Sequence, residues 1–154
     1  MRVEYRFNSS SASETKKLGA RFGALLPAGS LITLQGDLGA GKTTFTQGLA
    51  FGLGIKGKVT SPTFNLLKVY RDGRLPLYHI DAYRMEGILQ DLGFDEYVDD
   101  DGICVIEWAD FMSYILPEDR IEISLTINDD DSRGITVKSD AARYEGVLKE
   151  ICTL

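Results

Sequence analysis

Along the N-terminal part of the chain the spacing of apolar side chains changes period. Arg2-Val3-Glu4-Tyr5-Arg6-Phe7 alternates polar and apolar residues, which predicts a strand with one covered face. Ser11-Ala12-Ser13-Glu14 fits a capping box, and Leu18, Phe22, Leu25 and Leu26 follow it at helical spacing until Pro27 stops the run. Ser30 to Gln35 is a short apolar strand, and after a glycine-rich turn Phe45, Leu49 and Leu53 share one face of a second helix that ends at the Gly52-Leu53-Gly54 break. Phe64 to Tyr70 and Leu75 to Ile80 read as strands joined by the turn Arg71-Asp72-Gly73-Arg74. Met85 to Val98 has a mixed helical pattern. Ile103 to Ile106 is a continuous β-rich run, as expected of a central strand covered on both faces. Ile121 to Leu125 and Ile135 to Val137 flank the acidic turn Asp129-Asp130-Asp131 and predict a hairpin. Asp140 is placed to cap a last helix carrying Tyr144, Val147, Leu148 and Ile151.

Strands interleaved with helices predict an α/β fold, a three-layer sheet with helices on both faces and added antiparallel hairpins. No repeat, low-complexity tract or linker divides the chain, so a single domain over residues 1–154 is expected. A chain of this length buries about 70% of its unfolded surface, and with 44% hydrophobic residues it can build a core without disulfides.

The glycine-rich turn carries the strongest chemical signal. Gly36-Asp37-Leu38-Gly39-Ala40-Gly41-Lys42-Thr43 is a complete G-x-x-x-x-G-K-T phosphate loop, with a strand before it and a helix after it. Glycines at these positions let the backbone aim N–H groups at phosphates, and the positive end of the helix dipole lies at the same place. Lys42 can reach β- and γ-phosphates, and the Thr43 hydroxyl can ligate Mg²⁺. A nucleoside triphosphate with Mg²⁺ is the expected ligand, and the sheet is expected to be of the P-loop NTPase kind.

Such a loop needs a carboxylate at the end of a neighbouring strand to hold or orient the metal. Two strands end that way, Leu77-Tyr78-His79-Ile80-Asp81 and Ile103-Cys104-Val105-Ile106-Glu107. A solvated strand terminus or a helix cap is an equal alternative for each acid, with Glu107 preferred because its strand is the more uniformly apolar. Trp108, the sole tryptophan, follows at once and is read as core filler, an interface anchor or a neighbour of the site. His79 is the sole histidine and has no partner for a triad or zinc set, which favours a hydrogen-bonded structural role. Thr60-Ser61-Pro62-Thr63-Phe64 stands where phosphate-loop enzymes often sense the γ-phosphate, although a plain turn fits Ser-Pro equally well.

Composition narrows the classes further. A net charge of −6 argues against a protein that grips RNA or DNA alone, because phosphate contacts need a basic face. Cys104 and Cys152 are far apart, and Cys104 lies in an apolar run that suits a buried structural thiol. The N-terminus has no basic-then-apolar leader and no run is long enough to span a bilayer, so the expected compartment is the cytoplasm, with no membrane partner.

Four motifs in this order resemble one bacterial family, the TsaE (YjeE) ATPases of tRNA threonylcarbamoyladenosine synthesis. They are Gly36 to Thr44, Val59 to Phe64, His79-Ile80-Asp81-Ala82-Tyr83-Arg84, and Ile106-Glu107-Trp108-Ala109, and the resemblance extends over nearly the whole chain. Gln47 departs from the arginine of many relatives, and Ala82 occupies a variable position; neither touches the phosphate chemistry. The resemblance implies ATP rather than GTP, in keeping with the lack of an Asn-Lys-x-Asp guanine-reading motif. It implies Thr43 and Glu107 as Mg²⁺ ligands, Asp81 beside the metal, Lys42, Asp81 and Glu107 as the catalytic set, and Thr44, Trp108 and Arg133 lining the nucleotide site. It further implies the partner proteins TsaB and TsaD, with tRNA reached only through that complex and the ATPase acting by a regulatory or resetting step. A small-molecule kinase and a non-hydrolysing nucleotide-gated module remain alternatives. Arg71, Arg74 and Arg84 are too scattered to make an arginine-rich lid.

Overall fold

The computed structural model describes residues 3–37, 39–60, 67–81, 101–107, 116 and 118–153. Within them the predicted strands join into one seven-stranded sheet of order β1-β7-β6-β2-β5-β4-β3. The elements run β1 (Val3–Ser9), α1 (Ala12–Leu25), β2 (Leu31–Gly36), α2 (Lys42–Leu53), β3 (Leu67–Tyr70), β4 (Leu77–Asp81), β5 (Ile103–Glu107), β6 (Ile121–Ile127), β7 (Arg133–Ser139) and α3 (Ala142–Cys152). Strands β6, β2, β5 and β4 are mutually parallel. Both expected hairpins form, β3 against β4 and β6 against β7, and β1 adds antiparallel to β7 at the far edge. The fold is a mixed α/β sheet with helices. The expected helix over Met85 to Val98 lies outside the described residues.

Side-chain alternation sorts the central strands into two faces. Ile32 and Leu34 on β2, Leu77 on β4, and Ile103 and Val105 on β5 belong to one buried cluster with Phe22, Phe45 and Tyr144 of the helices. Leu31, Tyr78, Ile80, Cys104 and Ile106 have the opposite parity and are also buried. β5 is therefore covered on both faces, as its uninterrupted apolar sequence predicts. Cys104 is fully enclosed and burial pushes its thiol far above the ordinary range, while Cys152 is pushed up to about 11, so neither is a reactive thiolate.

Helix α1 begins as its sequence predicts. Ser11 Oγ accepts the Glu14 N–H at 3.2 Å, and the Glu14 carboxylate accepts the Ser10 N–H at 2.6 Å. Its C-terminal carbonyls are met from across the molecule, where the Arg74 guanidinium donates to Gly23 O and Leu26 O. Helix α3 starts differently from expectation. Its N-cap is Ala141 and not Asp140, and the Ala141 N–H donates to Ser139 Oγ at the end of β7.

Glycine brings α1 and α2 into backbone contact. A Cβ on Gly23 would sit 2.0 Å from Leu49 O, and one on Gly48 would sit 2.2 Å from Lys16 O. Gly52, expected to help break α2, lies inside the helix, and a Cβ there would meet Ala20 O at 2.1 Å. The actual stop is Gly54, in the left-handed region at φ 84°. Phe22 and Phe45 meet edge to face at 5.4 Å beside this contact. Gly48→Ala must push α2 away from α1. It should destabilise the fold by about 1–3 kcal/mol, read as a lower urea midpoint at unchanged slope. An unchanged midpoint would mean that the helices separate without cost.

Candidate active site

Three parallel strands deliver their C-terminal ends to the start of α2. Leu34, Glu107 and Asp81 are register partners across β2, β5 and β4. Their parity is that of Leu77 and Val105, so both carboxylate-bearing positions face the α1–α2 side of the sheet. The carboxyl ends of parallel strands are where open α/β sheets build ligand sites.

Between β2 and α2 the chain makes a tight glycine turn. Gly39 and Gly41 have φ of 85° and 108°, which side chains other than glycine rarely adopt. Gly36 passes close to β6, where an added Cβ would be 2.6 Å from Leu125 O. The Ala40 N–H donates to Asp37 O at 3.0 Å and closes the turn. Gly41 is the N-cap of α2 and supplies no side-chain cap, so the first-turn N–H groups and the positive helix end are directed at the loop.

Lys42 is the first residue of that helix, and it is buried. Its ammonium donates to Gly36 O at 2.6 Å, across the mouth of the loop. Burial holds its pKa below the ordinary lysine value, while the negative charges of Glu107, Asp81 and Asp37 act in the opposite direction. Lys42 thus senses both strand-end acids. The sequence names both acids as candidates, and the sheet brings the two together as register partners.

Glu107 is buried, and its Oε1 lies 3.2 Å from His79 Nε2, itself fully buried. His79 is hydrogen-bonded, as expected, but its partner is the candidate metal ligand. An Nε2–H tautomer donates to the Glu107 carboxylate, and Nδ1 is left buried without a partner among the described residues. His79 therefore positions Glu107. The available signal was its parity, two residues before Asp81 on the same strand face.

Arg133 starts β7, far from the loop in sequence, yet its guanidinium donates to Gly39 O at 3.3 Å and to Asp131 O. A cleft of about 140 Å³ opens beside the loop, lined by Ser9, Ser11, Thr15, Thr44, Asp131 and Arg133 among others. Ser9 Oγ and Thr15 Oγ1 are hydrogen-bonded at 2.7 Å on its wall. The β6–β7 turn thus brings Arg133 to the loop, where the family resemblance expects it, and the N-terminal strand end adjoins the same cleft, which the sequence does not suggest. Thr43 and Thr44 are half-buried in the first turn of α2, and Asp37 is exposed. Leu38, Trp108 and the Ser61–Phe64 part of the switch-like segment lie outside the described residues. Thr60, the first residue of that segment, accepts a hydrogen bond from Lys68 Nζ at 2.5 Å.

The model of the family described as threonylcarbamoyl adenosine biosynthesis protein TsaE matches residues 9–135. The chain belongs to the TsaE family. A Bacillus subtilis relative, described as tRNA threonylcarbamoyladenosine biosynthesis protein TsaE, is 45% identical over 96% of this chain and 94% of its own. A Treponema pallidum relative with the same description is 50% identical over 84% of this chain and 96% of its own. The crystal structure of Bacillus subtilis YdiB superposes with a TM-score of 0.88 at 42% identity, covering 98% of this chain and 95% of that one. The TsaE match takes in the glycine loop, both strand-end acids and Arg133.

Removing the imidazole would leave the Glu107 carboxylate buried without its partner. His79→Leu should destabilise the fold by about 1–3 kcal/mol in chemical denaturation. His79→Gln, whose amide can reach the same oxygen, should recover part of that loss. Equal stability of His79→Leu and wild type would show that the bond contributes nothing.

Proposed function

We propose that this chain is the Mg²⁺-dependent ATPase of tRNA N6-threonylcarbamoyladenosine modification, with weak intrinsic hydrolysis that serves a regulatory or resetting step and not the transfer itself. The observation that carries the reading is the convergence of Lys42 with the Asp81–Glu107 pair at the mouth of the glycine loop. The curated relatives' descriptions support the pathway. ATP in place of GTP accords with the absence of an Asn-Lys-x-Asp motif from the sequence.

The residues present fit the ligands. Loop N–H groups and the α2 N-terminus would receive the phosphates, and Lys42 would exchange its bond to Gly36 O for phosphate oxygens. Thr43, Glu107 and Asp81 offer the hard oxygen donors that Mg²⁺ prefers, with Asp81 acting through water and His79 holding Glu107 in orientation. When bound, Mg²⁺ would neutralise charge on the phosphates. The cleft beside Arg133, lined by Ser9, Thr15 and Thr44, would take the nucleoside end.

Among the alternatives, a small-molecule kinase would need arginines for a lid, and two of the three the sequence offers are engaged elsewhere. Arg74 is committed to the α1 C-terminus, and Arg71 lies over the Tyr78 ring at 5.8 Å. We further propose TsaB and TsaD as partners, with tRNA reached only through them and the cytoplasm as compartment. Among the described residues, no helix is long and apolar enough to cross a membrane. Because the γ-phosphate alone distinguishes ATP from ADP, nucleotide control requires different partner affinities in the two states.

Single-turnover hydrolysis, run alone and with candidate phosphate acceptors, tests the ATPase reading. Product should be inorganic phosphate with no labelled acceptor, and transfer to an acceptor would favour a kinase. Lys42→Ala should weaken ATP binding roughly ten- to a hundredfold, since a hydrogen bond to a charged group is worth ~1.5–3 kcal/mol. Glu107→Gln should abolish Mg²⁺-dependent turnover in a folded protein, with Asp81→Asn the milder lesion. Normal turnover in Glu107→Gln would remove that side chain from the site. For assembly, the TsaB–TsaD pair should bind more tightly with a non-hydrolysable ATP analogue than with ADP, and equal affinity would exclude nucleotide control.

A further inference from the structure

The outer side of the α1–α2 contact carries a second, larger groove of about 670 Å³, away from the glycine loop. Its lining is mostly apolar, with Ala20, Phe51, Ile55 and Val59 among the lining residues. Phe51 is 79% exposed, whereas the other large apolar residues exposed among those described reach at most 46%. An exposed phenylalanine at the lip of an apolar groove adds nothing to the fold and marks an interaction surface.

Charge identifies what would cover it. Lys16, Lys17 and Lys58 line the groove, are exposed, and have no Asp or Glu beside them in its lining. Glu14, which feels the charge of Lys17, already accepts the Ser10 N–H at the α1 N-terminus. On a chain of net charge −6 this is a local cationic rim. Such a rim attracts carboxylates and repels cationic surfaces. An RNA strand is the poorer fit, because among the described lining residues the walls are aliphatic, Phe51 is the single aromatic, and there is no arginine.

The groove is also tied to the nucleotide loop's helix. Gln47, on α2 little more than a turn after Lys42, donates its amide to Val59 O at 2.9 Å and thereby anchors the strip that carries Lys58 and Val59. Val59 leads directly into the switch-like segment that begins at Thr60.

We infer that this groove is the partner-docking face of the chain, and that it takes an acidic amphipathic segment of the partner assembly. An apolar side chain of that segment packs against Phe51 and Ile55 while its carboxylates meet Lys16, Lys17 and Lys58. The inference rests on the reading that the protein acts through the TsaB–TsaD pair, and it assigns that pair a surface.

The test is calorimetric titration of the purified TsaB–TsaD pair, with a non-hydrolysable ATP analogue present, into four proteins. These are wild type, Phe51→Ser, the double variant Lys17→Glu/Lys58→Glu, and Arg6→Glu on the outer strand β1 as a charge-reversal control. ATP affinity is measured for each to establish that the fold and the loop are intact. Both groove variants should lose at least about tenfold in partner affinity with ATP affinity unchanged, and Arg6→Glu should bind as wild type does. Wild-type partner affinity in both groove variants would overturn the docking face and leave the partner reading standing. If wild type itself does not bind the pair in any nucleotide state, the partner reading fails and this assignment with it. Parallel sedimentation and binding of a tRNA transcript cover the other occupants. Groove-dependent self-association or RNA binding, with partner affinity unaffected, would overturn the proposal in favour of a second copy or a nucleic acid.

Discussion

A cation removed from water at the start of a helix is the constraint around which this structure is organised. Lys42 loses hydration on burial, and an isolated buried ammonium would be untenable. A short bond to Gly36 O and the field of Glu107 and Asp81 are among the interactions that keep it. Each of those compensations depends on long-range architecture. The acids come from β4 and β5, which must lie beside β2 in parallel register, and the carbonyl comes from a glycine pressed against β6. Disturbing the sheet order would separate the lysine from both acids that offset its burial. In the proposed reading a triphosphate offers the buried ammonium charged acceptors, which bind it more strongly than a neutral carbonyl does.

Helix α2 links this site to the rest of the molecule. Its N-terminus carries Lys42, its middle is clamped against α1 through Gly48 and Gly52, and its outer face presents Phe51. Backbone contact between the helices leaves little slack, so α2 is placed by α1 as firmly as by the sheet. The same helix therefore touches the glycine loop at one end and the lysine-rimmed groove along its flank.

Much of this was legible in the sequence because the signals were local. The capping box of α1, the glycine loop, both hairpins and the two-sided burial of β5 each follow from patterns a few residues long. Pattern reading missed what depends on partners distant in the chain. Gly52 looks like a helix breaker and proves to be a packing glycine, since only the position of Ala20 O reveals its role. Asp140 looks like a cap, yet Ser139 supplies the hydrogen bond at that helix start. His79 looks isolated because its partner is on another strand. Arg133 is named through the family resemblance alone, since it reaches Gly39 only because β7 folds back beside β6. The expected roles of Trp108 and of Ser61 to Phe64 fall outside the described residues.

The central claim is that Lys42 and the two strand-end acids form one site for a triphosphate with Mg²⁺. It is tested most directly by the coupling between the two ligands. ATP affinity is titrated with Mg²⁺ and with EDTA, in wild type and in the double variant Asp81→Asn/Glu107→Gln. The account predicts that Mg²⁺ tightens ATP binding in wild type and that most of this gain disappears in the double variant. The same gain in both proteins, or none in wild type, would contradict it.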